Sequence, residues 1–291
     1  GLPVETEGKS EYRIEICNFA QIPPAQQLQY AKNWVLEHNL KKVDCHYVLA
    51  ENDYELQLLE RPPVEDSELT EAVRWRLNDL ISLPIEDVVV DIFALPEDAY
   101  HGRMKILYAA VASKEVINKA LSFVRQIGLN NKVVDIYEMS LRNIALNLPE
   151  MDFGTVALLR MQENQGSMLM FSHESLYLTR QIELGYSSFA TGGGAFSLDN
   201  EVMIDRLALD IQRSLDYYES QLGKGVANKI YILPLGDENV HFKDELETQL
   251  HAPVLHFDCR EFVSFAPDVG PNIHDQAYCL PAIGAVLRRE S

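Results

Sequence analysis

Residues Glu68–Ile92 read ELTEAVRWRLNDLISLPIEDVVVDI, and the fold turns on how this stretch is parsed. Leu69, Val73, Leu77, Leu80 and Ile81 recur at the spacing that puts side chains on one face of a helix. Ser67 is placed to cap that helix. Glu68 and Glu71 lie in its first turn, where the positive end of the helix dipole favours carboxylates. Pro84 ends the helix, because its ring removes a donor and blocks the next turn. Val88–Phe93 then reads as a strand.

Downstream, Met104–Ala112 is a near-continuous apolar run, expected to pair with that strand. Ser113 is placed to cap a second helix through Ile117, Leu121, Val124 and Ile127, and Gly128 supplies its left-handed stop. Lys132–Ile136 reads as a third strand. Residues 64–136 are therefore expected to form an α+β unit, two helices beside a three-stranded sheet. Upstream, residues 1–9 are polar and expected to be loose. Tyr12–Phe19 alternates as a strand does, and Pro23 and Pro24 open a helix through Ala31, Trp34, Val35 and Leu40. Val43–Leu49 and Tyr54–Leu59 follow as strands.

Beyond residue 136, Met139–Leu148 is a short helix, and Thr155–Leu159, Ser167–Phe171 and Leu176–Ile182 are successive strands. Gly192–Gly194 reads as a flexible loop, since no Lys-Ser/Thr follows it and no strand leads into it. A long helix is expected over Glu201–Leu222, a strand over Ile230–Leu233, a helix over Lys243–Leu250, a strand over Val254–Phe257 and a helix over Tyr278–Leu287. The order of elements in the two halves is roughly parallel, which points to a duplicated α/β architecture.

The 291 residues are 47% hydrophobic and 24% charged, the balance of an ordinary globular chain. Forty-four acidic against 25 basic residues give a net charge of −19, which repels phosphate backbones and anionic lipid. Nucleic acid and direct docking on lipid are set aside, and a basic or zwitterionic protein segment is the expected kind of partner. Cys17, Cys45, Cys259 and Cys279 form no C-x-x-C pair, so free thiols in a reducing compartment are expected. No apolar run approaches the ~20 residues that span a bilayer. No signal peptide is recognisable, and the start at Gly1 leaves room for a segment upstream.

Over Tyr47–Leu148 the sequence resembles the PilM family of type IV pilus assembly proteins and its MshI relatives. The family's "E-L-x-x-A-I-R-W-E", a proline and "E-D-V-V-x-D-Y" have counterparts in Glu68-Leu69, Glu71–Trp75, Pro84 and Glu86–Ile92. Its "L-L-x-A-A-x-K-E-x-V" and "A-G-L-x-x-x-V-V-D" are similar to Leu107–Ala110 with Lys114–Val116, and to Ile127–Leu129 with Val133–Asp135. Asp210–Tyr218 looks like its "E-I-Q-R-S-L-D-F-Y", and Pro281–Arg288 like its closing "A-x-G-L-A-L-R". The resemblance implies an α/β actin-like (ribonuclease H-like, duplicated) fold with the small α+β subdomain also found in FtsA. It assigns 1–63, 137–150 and 274–291 to the first half, 64–136 to the subdomain, and 151–273 to a second half with a shortened clamping subdomain. It also implies a protein on the cytoplasmic face of the inner membrane that binds the cytoplasmic N-terminus of a PilN-like (MshJ-like) membrane protein.

An actin-like ATPase needs two Asp/Gly hairpins for the phosphates and Mg²⁺, and a Gly-rich loop for the nucleoside. Only Gly1–Lys9 stands where the first hairpin belongs. In the second, the family's Asp falls on Arg160 and its Gly on Gln162, with Gly166 and Ser167 closing the hairpin. Gly236 alone survives of the third loop. Arg160, Gln162, Gly166, Ser167 and Gly236 are therefore a vestigial nucleotide site, with neither ATP hydrolysis nor a cofactor expected. No metal is expected either: neither Cys45 with His46 nor His251, His256 and Cys259 has a recognisable zinc spacing. Arg74, Trp75 and Asn78 on the central helix are the candidate partner residues, since Trp and Arg anchor interfaces. A core role for Trp75 is the competing reading. Two alternatives to a scaffold are an ATPase that gates partner recruitment and the cytoplasmic domain of a GspL-like secretion protein.

Overall fold

A computed structural model describes residues 2–6, 9–189, 198–235, 242–250 and 252–289. Strands β1 (Leu2–Thr6) and β2 (Lys9–Ile14) form an antiparallel hairpin, so the N-terminal residues expected to be loose are largely paired. Helix α1 (Pro24–Glu37) begins on Pro24, whose fixed φ suits a first turn. Strands β3 (Asp44–Val48) and β4 (Tyr54–Glu60) follow, and then α2 (Asp66–Leu77).

The cap of α2 differs from the expectation. The helix starts two residues earlier, from Glu65, with no side-chain cap bond, and Ser67 lies inside the first turn. Arg61 holds that start through Asp66 at 2.5 Å. Strands β5 (Val88–Ala94) and β6 (Ile106–Ser113) come next. Helix α3 (Lys114–Ile127) is capped as expected: Ser113 Oγ accepts the Val116 N–H at 3.1 Å, and Gly128 ends the helix at φ +91°. Strand β7 (Asn130–Asp135) leads to α4 (Tyr137–Ala145).

The second half contains β8 (Thr155–Met161), β9 (Gly166–Ser172), β10 (Ser175–Ile182), α5 (Leu198–Ser220), β11 (Lys229–Ile232), α6 (Lys243–Gln249), β12 (Val254–His256), β13 (Ser264–Phe265) and α7 (Ile273–Val286). Helix α7 begins a turn earlier than its apolar pattern shows. Asn272 caps it by accepting the Asp275 N–H at 2.9 Å, and its first turn is polar. Gly192–Gly194 and Gly236 lie outside the described residues.

The five-stranded sheet has the order β10-β9-β8-β11-β12, antiparallel through β8 and parallel beyond it. Val156–Leu159 at its centre are fully buried, and one core joins this sheet to α4, α5 and α7. Helices α4 and α7 touch closely: a Cβ on Gly284 would stand 2.0 Å from the Ser140 carbonyl oxygen.

The sheet beside α2 has the order β4-β6-β5. Residues 132–136 were expected as its third strand. Instead β7 pairs in parallel with β3, and β4 takes that place. The reason lies in β6, whose nearly unbroken apolar run is that of a central strand with a neighbour on each side. Leu107, Ala109 and Val111 of β6 pack with Val73 and Leu77 of α2. The alternate residues face away from α2: Tyr108 joins the main core and Ala112 packs with α3.

Candidate functional site

Two places in the fold hold residues singled out by sequence, and a third place matters beside them. The first is the β8–β9 hairpin, where Arg160, Gln162, Gly166 and Ser167 come together. Arg160 is the one residue of β8 that is not fully buried. It ion-pairs with Glu51, in the turn between β3 and β4, and its guanidinium lies 4.2 Å from the ring centre of Tyr137. Gln162 Nε2 donates to the same Glu51 carboxylate at 2.8 Å. Gln165 donates to Gln162 at 3.1 Å and Gln181 to Gln165 at 2.7 Å.

A cavity of about 390 Å³ lies beside this chain of amides, lined also by Tyr54, Glu138 and Ser167. Tyr54 donates to Glu138 at 2.6 Å. Burial pushes the Glu138 carboxyl above its ordinary value, against the lowering effect of that bond. The hairpin's one cation is thus already committed to Glu51, and a second carboxyl stands nearby. Among the described residues this hairpin offers no free positive charge to a triphosphate. Gly166 has a packing reason for being glycine, since a Cβ there would stand 2.9 Å from Met161 Sδ and 3.0 Å from the Arg160 carbonyl. Glu51 was not visible as a partner from sequence, because only the fold brings its turn to β8.

The second place is the exposed side of α2. Arg74 is tied down: it donates to the carbonyls of Ile85 at 2.6 Å and Val88 at 3.4 Å, pinning the helix to the start of β5. Trp75 is 74% exposed and closes no core, which disposes of the competing reading. Asn78 is exposed at the helix end, and Leu80 and Leu83 are exposed just beyond it.

The third place was missed by sequence. It is a groove of about 790 Å³ between the outermost strands of two sheets, β5 with Val89, Asp91 and Phe93, and β7 with Val133–Asp135. Ala110 and Ala112 line it with small side chains, and Met139, Arg142 and Leu146 of α4 complete it. An edge strand carries backbone N–H and C=O groups with no neighbour to bond them, a template for an added strand. The groove takes β6's Ala110 and Ala112, whereas α2 covers the alternate residues. Arg74, Trp75 and Asn78 therefore lie across the sheet from it and do not line it.

One end of the groove is cationic. Arg288 bonds the buried Asp135 at 2.8 Å, and Arg289 lies 3.6 Å from Glu174. Arg142 Nε donates to the Glu174 backbone carbonyl at 2.5 Å. Burial, reinforced by the charges of Arg288 and Arg289, holds the Arg142 guanidinium below its ordinary value. The signal available in the sequence was the Arg288-Arg289 pair closing an acidic chain; nothing marked Arg142.

Among the described residues no group of three His, Cys, Asp or Glu is placed to hold a metal ion. His46 Nδ1 is engaged with the Ala285 carbonyl at 2.8 Å, and burial pushes the Cys259 thiol up to about 12. His251 lies outside the described residues. No helix among the described residues is long and apolar enough to cross a membrane.

No family model matches the chain, and no curated protein matches it. Solved structures do. A chain of the PilM-PilN type IV pilus biogenesis complex is similar over 91% of this chain and 84% of its own, at 22% identity and a TM-score of 0.65. The cytoplasmic domain of EpsL, an inner membrane component of the type II secretion system of Vibrio cholerae, is similar over 93% and 84%, at 14% identity and a TM-score of 0.49. A Bacteroides thetaiotaomicron protein with an actin-like ATPase fold is similar over 89% and 83%, at 11% identity and a TM-score of 0.45. The first of these likenesses bears on architecture, and the other two are too distant to argue from. The order of strands and helices and the first likeness together give the conclusion: this chain has the α/β actin-like fold.

Proposed function

We propose that this chain is a non-catalytic, actin-like scaffold of a type IV pilus assembly platform, of the MSHA kind. In this reading it is held at the cytoplasmic side of the inner membrane by the N-terminal segment of a PilN-like (MshJ-like) partner. The observation that carries the reading is the groove between β5 and β7. It has a volume of about 790 Å³, it is lined by residues of two edge strands, and small alanines leave room in it for an extended peptide. The likeness to a chain from the PilM-PilN complex adds the class of partner. Strand addition gives affinity through main-chain bonds, which suits a short tail with no structure of its own.

The absence of catalysis is argued from the hairpin. An actin-like ATPase closes its two halves around a nucleotide. Here Glu51 meets Arg160 and Gln162 across that boundary, so a protein-borne clasp joins the turn at Glu51 to the β8–β9 hairpin without any ligand. A carboxylate placed at Arg160 would hold Mg²⁺ through water; a guanidinium cannot. Neither ATP nor Mg²⁺ is a cofactor in this reading.

The test is a melting experiment. A ligand at one hundred times its Kd stabilises a protein by about 2.7 kcal/mol. Millimolar Mg-ATP is expected to leave Tm unchanged, while the partner's N-terminal peptide raises it. A rise with Mg-ATP restores the gating ATPase, and no rise with the peptide removes the scaffold.

A further inference from the structure

The charge at one end of the groove is out of keeping with the rest of the molecule. The chain carries a net charge of −19, yet three arginines, Arg142, Arg288 and Arg289, converge at one end of the groove. Two carboxylates accompany them, and both are used. Asp135, 5% exposed, pairs with Arg288 and also accepts the Ile136 N–H; Glu174 faces Arg289. Arg142 pairs with no carboxylate among the described residues. Its Nε is spent on a backbone carbonyl, and Nη1 makes only a long contact of 3.5 Å with Asn143. Among the described residues the corner thus holds three cations against two anions, partly shielded from water, where an ion pair is worth more than at an open surface. On the opposite wall, Asp91 of β5 accepts the N–H of its own neighbour Ile92 and has no cation within ion-pair distance among the described residues.

Resting on the groove reading above, we propose that the occupant is an extended peptide that presents an acidic side chain to Arg142. The peptide lies along the free edge of β5 or β7, and its carboxylate enters the Arg142–Arg288–Arg289 corner. It brings the missing anion, so that each guanidinium has a partner, and it selects among strands that main-chain bonding alone would accept equally. A planar guanidinium suits this role because it takes a carboxylate in a paired, directional geometry. The acidity of the rest of the surface then acts against tails with several carboxylates, so the fitting segment carries one acidic residue at a fixed place in an otherwise apolar or basic tail.

The experiment uses a displayed library of random linear peptides, selected against the whole chain. Bound peptides are retained only if they fail to bind an Ala110→Arg variant, whose side chain fills the groove. Enrichment of Asp or Glu at one position is expected on the wild type, with Lys or Arg taking that position on Arg142→Glu. Binding of a selected acidic peptide should fall at least tenfold on Arg142→Glu and fall with added salt. Arg289→Glu is the second variant, since that residue is half-exposed and its loss leaves the fold in place if Arg142→Glu unfolds; the same reversal of preference is expected there. Groove-dependent peptides with no acidic preference overturn this inference and leave the groove reading standing. A selection that yields no groove-dependent peptide overturns both.

Discussion

Arg160 shows how one position is read twice. As a sequence feature it stands where an actin-like ATPase carries a carboxylate, and that contrast was legible at once. What it does instead was not, because Glu51 and Tyr137 reach it only through the fold. The ion pair is partly buried and shares its carboxylate with Gln162, so Arg160→Ala is expected to cost about 1–3 kcal/mol. Urea unfolding checks this as a lower midpoint at unchanged slope. Two acids should give pH dependences of opposite sign. Burial raises the folded-state value of Glu138 above its ordinary 4.5. The native protein then keeps that proton to higher pH than the unfolded chain does, so this contribution is full below 4.5 and is lost as pH rises through the raised value. Hydrogen bonds from Arg260 push Asp258 from 3.8 to about 2. Its contribution is present above 3.8 and is lost as pH falls toward 2. Glu138→Gln should flatten the first slope and Asp258→Asn the second, each followed by unfolding midpoints across pH.

Helix α2 illustrates what element-scale patterns convey and where they stop. Its apolar stripe gave its existence, its type and its buried face through Val73 and Leu77. The same periodicity left Trp75 undecided between core and surface and put Arg74 beside it as a surface candidate, and the structure separates the two. Arg74 is the structural residue, through two carbonyls, and Trp75 is the surface residue. Trp75→Ala should therefore leave stability within about 0.5 kcal/mol of the wild type, whereas Arg74→Ala should lose about 1–2 kcal/mol. Melting curves of the two variants, run side by side, decide it; a larger loss on Trp75→Ala contradicts the placement of α2. The strands teach a related lesson. Each of β3 to β7 was visible as a strand, but pairing was not, because periodicity fixes a strand's faces and not its neighbours. That is how β7 came to be assigned to the wrong sheet. It is also why the groove was invisible: it exists only because β5 and β7 are both edges and face a shared space.

At the scale of the molecule, duplicated α/β order was readable from the alternation of strands and helices, and the structure bears out an actin-like fold. The candidate site was only half readable. The residues of the β8–β9 hairpin were found, and they form one cluster. Those of α2 were found, and they lie across a sheet from the groove. The groove's own arginines carry no mark in a chain whose overall charge is −19, since only the fold brings Arg142 to Arg288 and Arg289. Under the proposed function, partner binding lies in the groove, and the pairing of Glu51 with Arg160 and Gln162 clasps the cleft in place of a ligand. Calorimetric titration of the PilN-like partner's N-terminal peptide tests this most directly, with and without Mg-ATP, against wild type and Ala110→Arg. The predicted result is saturable binding to the wild type, the same affinity with Mg-ATP present, and loss of binding on Ala110→Arg with Tm retained. Binding that survives Ala110→Arg, or that appears only with Mg-ATP, would contradict it.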